Sequence, residues 1–215
     1  EINSQIQTLK AQNTENILNE ENIEEINVKK VINKEIIRIN ELMYESGMIE
    51  EKQDIEKLPK EELKQRKLLR DFIIATDNFI VYRPNFGLHT IIAGYPWFLD
   101  WGRDSLISFE GLLLETKRYE IAKEVLLTSI RDIKFGLVPN GYSGYDNRPL
   151  YNSSDSSLLL FEAVYKYAKY TGDYKFIEKN IYEKLVLIIN NYCKGIDLDD
   201  NNIFLDIDGL LSAGT

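Results

Sequence analysis

The sequence predicts an all-α protein built from two layers of helices. Three features predict it. Apolar residues recur at three- and four-residue spacing over most of the chain beyond Val28. The helices alternate between one that is apolar nearly all round and one that is amphipathic. A long loop rich in aromatic and acidic residues precedes each apolar helix, at the same phase. Inner helices surrounded by others and outer helices facing water give this alternation, and the long loops then gather at one end.

The elements follow in order. Residues 1–27 are rich in Asn, Gln, Glu and Ile, with apolar positions at irregular intervals, and predict no element. Val28, Val31, Ile32, Ile36, Ile39, Leu42 and Met43 predict an amphipathic helix near 28–44, which Gly47 can stop. The charged stretch from Glu50 to Glu62, around Pro59, reads as a solvated connection. Residues 1–62 are thus expected to be a linker region and 63–215 the principal domain. From Leu63 to Tyr82 a helix is predicted with Leu68, Leu69, Phe72, Ile73, Phe79 and Ile80 on one stripe, ended by Arg83-Pro84. A short β-branched run, Thr90-Ile91-Ile92, leads into Gly94-Tyr95-Pro96-Trp97-Phe98-Leu99-Asp100-Trp101-Gly102-Arg103-Asp104.

Two hairpins of helices are predicted beyond it, 106–116 with 119–134 and 157–171 with 174–193. In the first, Leu106, Ile107, Phe109 and Leu112–Leu114 leave little polar face, and Ile121, Ala122, Val125, Leu126, Ser129 and Ile130 point one way in the partner. In the second, Leu158–Phe161, Ala163, Val164 and Tyr167 are followed by an amphipathic partner carrying Phe176, Ile177, Ile181, Leu185, Ile188 and Ile189. Ser153 or Ser154 is expected to cap the helix that follows. Between the hairpins runs a loop rich in Gly, Tyr, Asn and Asp, too long for mere connection.

Composition narrows the partners. A net charge of −9 disfavours nucleic acid and anionic membrane, and a neutral polar ligand fits better. One cysteine, Cys193, forms no internal disulfide, and one histidine, His89, leaves too few soft ligands for zinc. With no secretory signal pattern and no apolar run near 18 residues, a reducing, cytoplasmic setting is expected. The start at Glu1 and the turn-like end at Ser212-Ala213-Gly214-Thr215 suggest part of a longer protein.

Aromatic faces beside a guanidinium and carboxylates are what a sugar cleft needs, because rings stack on a pyranose while Arg and Asp bond its vicinal hydroxyls. The alternative is a loop whose Trp residues plug a core and whose Arg103 and Asp104 form a structural pair. Asp197-Leu198-Asp199-Asp200-Asn201-Asn202 with Asp206 and Asp208 resembles a calcium loop, but Asn202 stands where Gly is wanted. An Asp-Asn turn between short strands explains the same residues.

Five ordered segments carry a resemblance to a known family. They are Ala93–Ser105, Gly111–Thr116, Gly136-Leu137-Val138-Pro139-Asn140, Tyr151-Asn152-Ser153-Ser154-Asp155-Ser156-Ser157-Leu158 and Asp208–Gly214. Together they resemble successive motifs of the glycogen debranching enzyme C-terminal domain, the amylo-α-1,6-glucosidase family, from about Leu68 to Thr215. The resemblance implies an (α/α)6 toroid of the six-hairpin glycosidase class, of which this chain would hold the first half. It also implies hydrolysis of α-1,6-linked glucose at branch points of an α-glucan polysaccharide such as glycogen or limit dextrin, with no metal or organic cofactor.

The same resemblance makes Arg103 and Asp104 holders of a terminal glucose and Trp101 a wall of that subsite, with Asn152 and Asp155 reaching it from the next inner helix. Asp155 has a second reading, as a first-turn carboxylate facing the helix dipole. Tyr142, Tyr145 and Tyr151 are possible stacking residues, with Tyr151 preferred. The family's general acid and base are expected beyond Thr215, so no catalytic residue is assigned here. The remainder of the parent chain is the expected partner, and Phe109, Leu113, Leu159 and Val164 are expected to lie uncovered without it. A non-catalytic glucan-binding protein and a glucoamylase-like enzyme of other specificity are the rival readings.

Overall fold

The computed structural model describes residues 28–47, 59–143, 146–198 and 201–214. The chain divides into two compact units, Glu1–Glu41 and Leu42–Thr215. Helix α1 (Val28–Glu45) runs across that division and stops where Gly47, at φ 65°, donates its N–H to the Tyr44 carbonyl. Val28, Val31, Ile32 and Ile36 of its apolar stripe are exposed. Among the described residues no helix is long and apolar enough to cross a membrane.

The larger unit is mainly helical, and its described strands form three small antiparallel sheets in the loops. Helix α2 (Lys60–Asp77) starts three residues earlier than the periodicity predicts and ends five earlier. Ile80–Arg83 is instead strand β1, paired with β2 (Leu88–Ile91) so that Ile80 faces Ile91 and Val81 faces Thr90. β-branched residues on both sides favour a ladder over the five further helical residues. The predicted stripe of α2 is therefore only partly covered: Ile73 is buried, whereas Leu68 and Phe72 are exposed.

The first apolar segment forms α3 (Gly102–Phe109), which widens into a π-helical turn over Glu110–Leu114. Helix α4 (Tyr119–Ile130) returns beside it. Ser105 near the start of α3 donates its hydroxyl to Ile91 O, and Thr128 near the end of α4 donates to His89 O. Both ends meet β2, so the pair is an antiparallel hairpin as predicted. The second hairpin begins with α5 (Asp155–Thr171), stopped by Gly172 at φ 66°. Its partner is two helices, α6 (Tyr174–Asn180) and α7 (Tyr182–Lys194), rather than one. Asn180 bonds its side chain back to Phe176 O, and Ile181 between the two is fully buried. The Tyr167 ring meets Phe176 at 5.6 Å while Tyr192 bonds Ser154 O, which fixes the antiparallel sense.

The two apolar helices lie side by side and run the same way. A Cβ on Gly102 would come within 3.4 Å of Ser156 Oγ, while eight residues on, Glu110 accepts from Tyr170 at 3.2 Å and pairs with Lys166 at 2.8 Å. Both N-termini therefore sit at one end of the layer. Phe109 and Leu113 of this layer share a core with Val125 and Leu126 of α4 and with Leu160 and Val164 of α5. The expectation that Phe109, Leu113, Leu159 and Val164 lie uncovered is thus overturned: Phe109 and Leu113 have no exposed surface, Val164 is buried and Leu159 is half-buried. Their own hairpin partners and the neighbouring α3 or α5 cover them. Ile107, Leu158 and Tyr165 are the exposed large apolar or aromatic residues of these two helices.

The loops between hairpins are pinned. Strands β3 (Gly141–Tyr142) and β4 (Pro149–Leu150) pair within the second loop. Arg83 of β1 donates to the buried Asp100 at 2.6 Å and to Asn147 at 3.1 Å, tying β1 to both long loops. Burial pushes the Asp100 carboxyl above its ordinary range, and the Arg83 guanidinium restrains that rise. At the end of the described chain, β5 (Ile196–Leu198), β6 (Asn201–Leu205) and β7 (Leu211–Gly214) form an antiparallel meander.

Gly102 is required where it stands. A Cβ there would lie 2.6 Å from Pro139 O and 3.3 Å from Asn140 Cα, both backbone atoms with little room to yield. Gly102→Ala is therefore expected to cost about 1–3 kcal/mol through overpacking, more than the roughly 0.5–1 kcal/mol alanine gains in a helix. Urea unfolding tests this, and a more stable variant would show that the close approach is dispensable.

Candidate functional site

The described end of the layer where α3 and α5 begin gathers most of the residues singled out from the sequence. Arg103, in the first turn of α3, extends Nε to within 2.5 Å of Asp155 Oδ2 in the first turn of α5. Their side chains are 55% and 40% exposed, so the pair is formed at a surface that a ligand can reach. Ser153 serves both this carboxylate and the start of α5. Its hydroxyl donates to Asp155 Oδ1 and accepts the N–H of Ser156 at 3.3 Å, which caps α5 as predicted.

Burial of Asp155 acts to raise its pKa, but the Ser153 hydroxyl and the Arg103 guanidinium outweigh it and hold the carboxyl below its ordinary value. Asp155 thus stays an anion, able to accept hydrogen bonds but poorly suited to donate a proton. Its place in the first turn of α5 fits the dipole reading, since a carboxylate at a helix start meets the positive end.

Asp104 follows Arg103 on α3. With Arg103 and Ser108 it supplies the polar edge of a cavity of about 330 Å³ whose remaining walls are Phe79, Ile92, Ala93, Ile107 and Leu112. Trp101 is half-buried against the Gly141 backbone, where an added Cβ would touch its ring at 3.4 Å. Asn152 accepts from Asn140 Nδ2 at 3.2 Å.

The tyrosines divide differently. Tyr142 is buried, stacks edge-on against Phe86 at 4.9 Å and donates to Asp132, which leaves no ring face for a ligand. Tyr151 packs against the core and donates its hydroxyl to Asp132 O at 2.5 Å, and burial raises its pKa. Tyr145 lies outside the described residues.

Among the described residues no group of three His, Cys, Asp or Glu could hold a metal ion. Asp206 and Asp208, offered above as ligands of a calcium loop, each accept a nearby backbone N–H, from Ile207 and Leu210, within the turn joining β6 and β7. Asp197 pairs with Asn202 across β5 and β6, and residues 199 and 200 lie outside the described set. His89 is a strand residue whose Nδ1 meets Glu124 at 2.7 Å.

Reasoning from sequence missed Ser156 and Ser157 as part of the site's support. Both have no exposed surface, and small hydroxyl residues in the first turn of a buried helix were the available signal. The depressed Asp155 pKa gives a pH prediction. The pair's contribution to stability is fully present above the unfolded Asp pKa, near 3.9, and is lost as pH falls through the lower folded value. With both groups more than a third exposed, it is expected to be below about 1 kcal/mol. Melting curves of wild type and Asp155→Asn between pH 2 and 6 should differ above about pH 4 and converge below it; a gap that widens with acid would contradict the assignment.

Comparison with known proteins places this chain in a family. The amylo-alpha-1,6-glucosidase family model matches residues 74–215. Over 95 residues the chain is 35% identical to the glycogen debranching enzyme of Saccharomyces cerevisiae, a match covering 42% of this chain and 6% of that protein. The match spans the small part of a much longer relative, while the family model takes in all of β1 to β7. The chain belongs to the amylo-alpha-1,6-glucosidase family.

Proposed function

We propose that this chain contributes the glucose-holding part of a glycoside hydrolase that removes α-1,6-linked glucose at branch points of glycogen or a related α-glucan. The observation that carries the reading is the Arg103–Asp155 pair, which joins two adjacent helix starts at a reachable surface within a chain of this family. A fixed guanidinium between carboxylates presents donors and acceptors at the spacing of vicinal sugar hydroxyls. Arg103 and Asp104 hold the terminal glucose, Trp101 walls the subsite, and Asn152, just ahead of α5, and Asp155, in its first turn, complete it. Tyr151 contributes its ring edge at the same loop.

The chemistry needs one carboxylic acid to protonate the leaving oxygen and one carboxylate to activate water, about 6.5–9.5 Å apart in an inverting enzyme. Asp155 is held anionic by Ser153 and Arg103, which suits binding, and the acid and base come from beyond Thr215. On this reading residues 63–215 are the first half of an (α/α)6 toroid and 1–62 a linker. The rest of the parent chain completes the ring, in a cytoplasmic enzyme that needs no cofactor.

In the intact parent, Asp104→Asn is expected to lower kcat/KM for limit dextrin. Losing a charge-assisted bond costs about 1.5–3 kcal/mol, which is roughly tenfold to a hundredfold in rate. Remote subsites should keep polymer binding near wild type. Glucose release at the wild-type rate, or release from linear maltooligosaccharides in preference to limit dextrin, would contradict the reading. Residues 1–215 alone should release no glucose, and measurable release would place acid and base among the carboxylates assigned to binding.

A further inference from the structure

The helix starts that carry Arg103 and Asp155 do not fix their own spacing. Trp101 precedes α3 and supplies no side-chain cap, so the first N–H groups of α3 need acceptors from elsewhere. Both come from Asn140. Its backbone carbonyl accepts from Gly102 N at 2.6 Å, and its side-chain Oδ1 accepts from Arg103 N at 3.4 Å.

The same carboxamide reaches across to α5. Oδ1 also accepts from Ser156 Oγ at 3.2 Å, and Nδ2 donates to Asn152 Oδ1 at 3.2 Å. Its backbone N–H donates to Leu150 O at 2.7 Å, which anchors Asn140 to β4. One residue therefore serves both helix starts and is itself held by a strand. Ser156 passes the link on, its backbone N–H donating to Ser153 Oγ at 3.3 Å, and Ser153 donates to Asp155. The chain of contacts runs from Arg103 N through Asn140, Ser156 and Ser153 to the carboxylate that Arg103 Nε meets at 2.5 Å.

We infer that Asn140 is the positioning residue of this site: its carboxamide caps α3 from outside and sets the register of Arg103 against Asp155. The inference rests on the glucan-hydrolase reading for its kinetic consequence, but its geometric content is independent of substrate. A residue that aligns binding groups without touching the polymer affects the reacting geometry more than polymer affinity. Misplacement by about 1 Å can cost on the order of a hundredfold in rate.

The tests use the longest natural polypeptide that contains this chain. Asn140→Ala removes all three side-chain bonds and is expected to lower kcat on limit dextrin by about tenfold to a hundredfold, with KM within about threefold. Asn140→Asp keeps the acceptor for Arg103 N and Ser156 Oγ, and Asn152 can turn its amide to donate to the new oxygen. That variant should recover most of the lost kcat. Thr171→Ala is the control, because Thr171 donates to Tyr167 O at 2.7 Å and accepts from Asp173 N at 3.1 Å at the far end of α5, away from both helix starts. It should lower Tm while leaving kcat near wild type.

Wild-type kcat in Asn140→Ala would overturn the inference. So would losses of kcat that follow Tm in both Asn140→Ala and Thr171→Ala, or a failure of Asn140→Asp to restore turnover. If the wild-type protein releases no glucose, the functional reading falls, and a crystal structure of Asn140→Ala then decides the positioning claim. An Arg103–Asp155 separation beyond about 4 Å supports it, and an unchanged pair overturns it.

Discussion

Two helix N-termini stand side by side at the candidate site, and the positive ends of their dipoles have to be met by acceptors and negative charge. Each end carries the equivalent of about half an elementary charge, and Arg103 adds a full one to the same place. Asp155 and Asp104 occupy the first turns of α5 and α3, and Asn140 offers a carbonyl and a carboxamide oxygen to α3. The arrangement depends on Gly102, since only a residue without Cβ lets α3 begin against the Pro139–Asn140 backbone. From that approach follow the parallel run of α3 and α5, the shared core of Phe109, Leu113, Leu160 and Val164, and the meeting of Arg103 with Asp155.

The loops are built to hold this end rather than to move. Arg83 links β1 to Asp100, just ahead of α3, and its guanidinium lies 5.0 Å from the Phe86 ring and 5.5 Å from that of Tyr142. Arg131 stacks on Phe86 at 3.9 Å, and Tyr142 and Tyr151 both converge on Asp132. Tyrosine hydroxyls spent on a structural carboxylate and carbonyl explain why a Tyr-rich loop can support the candidate site without all its rings lining it. Binding groups on rigid elements lose less entropy when a flexible polymer docks.

Much of the helical frame was legible because inner helices are apolar on nearly all sides and their partners are not. The hairpin of α3 with α4, the cap at Ser153 and the stop at Gly172 all follow from local chemistry. Elements decided by distant partners were not legible. Ile80 and Val81 continue a helical stripe in sequence, yet Ile91 and Thr90 claim them for a strand. The break at Asn180–Ile181 depends on a buried pocket for Ile181 that no periodicity reveals. At the site, a run of aromatics and charge too dense for mere connection singled out Arg103 and Asp104, whereas only the family resemblance joined Asp155 to them. Asn140 stood inside a motif but gave no sign of its role, since an amide's partners are set by the fold.

The central claim is that the α3 and α5 starts hold a glucose residue. A crystal structure of the intact protein with an α-1,6-linked glucose disaccharide bound tests it most directly. The account predicts sugar hydroxyls at about 2.7–3.2 Å from the Arg103 guanidinium and the Asp104 carboxylate, with a pyranose face against Trp101 and Asp155 still paired to Arg103. A sugar bound elsewhere, with the Arg103–Asp155 pair sealed beneath other parts of the chain, would contradict it.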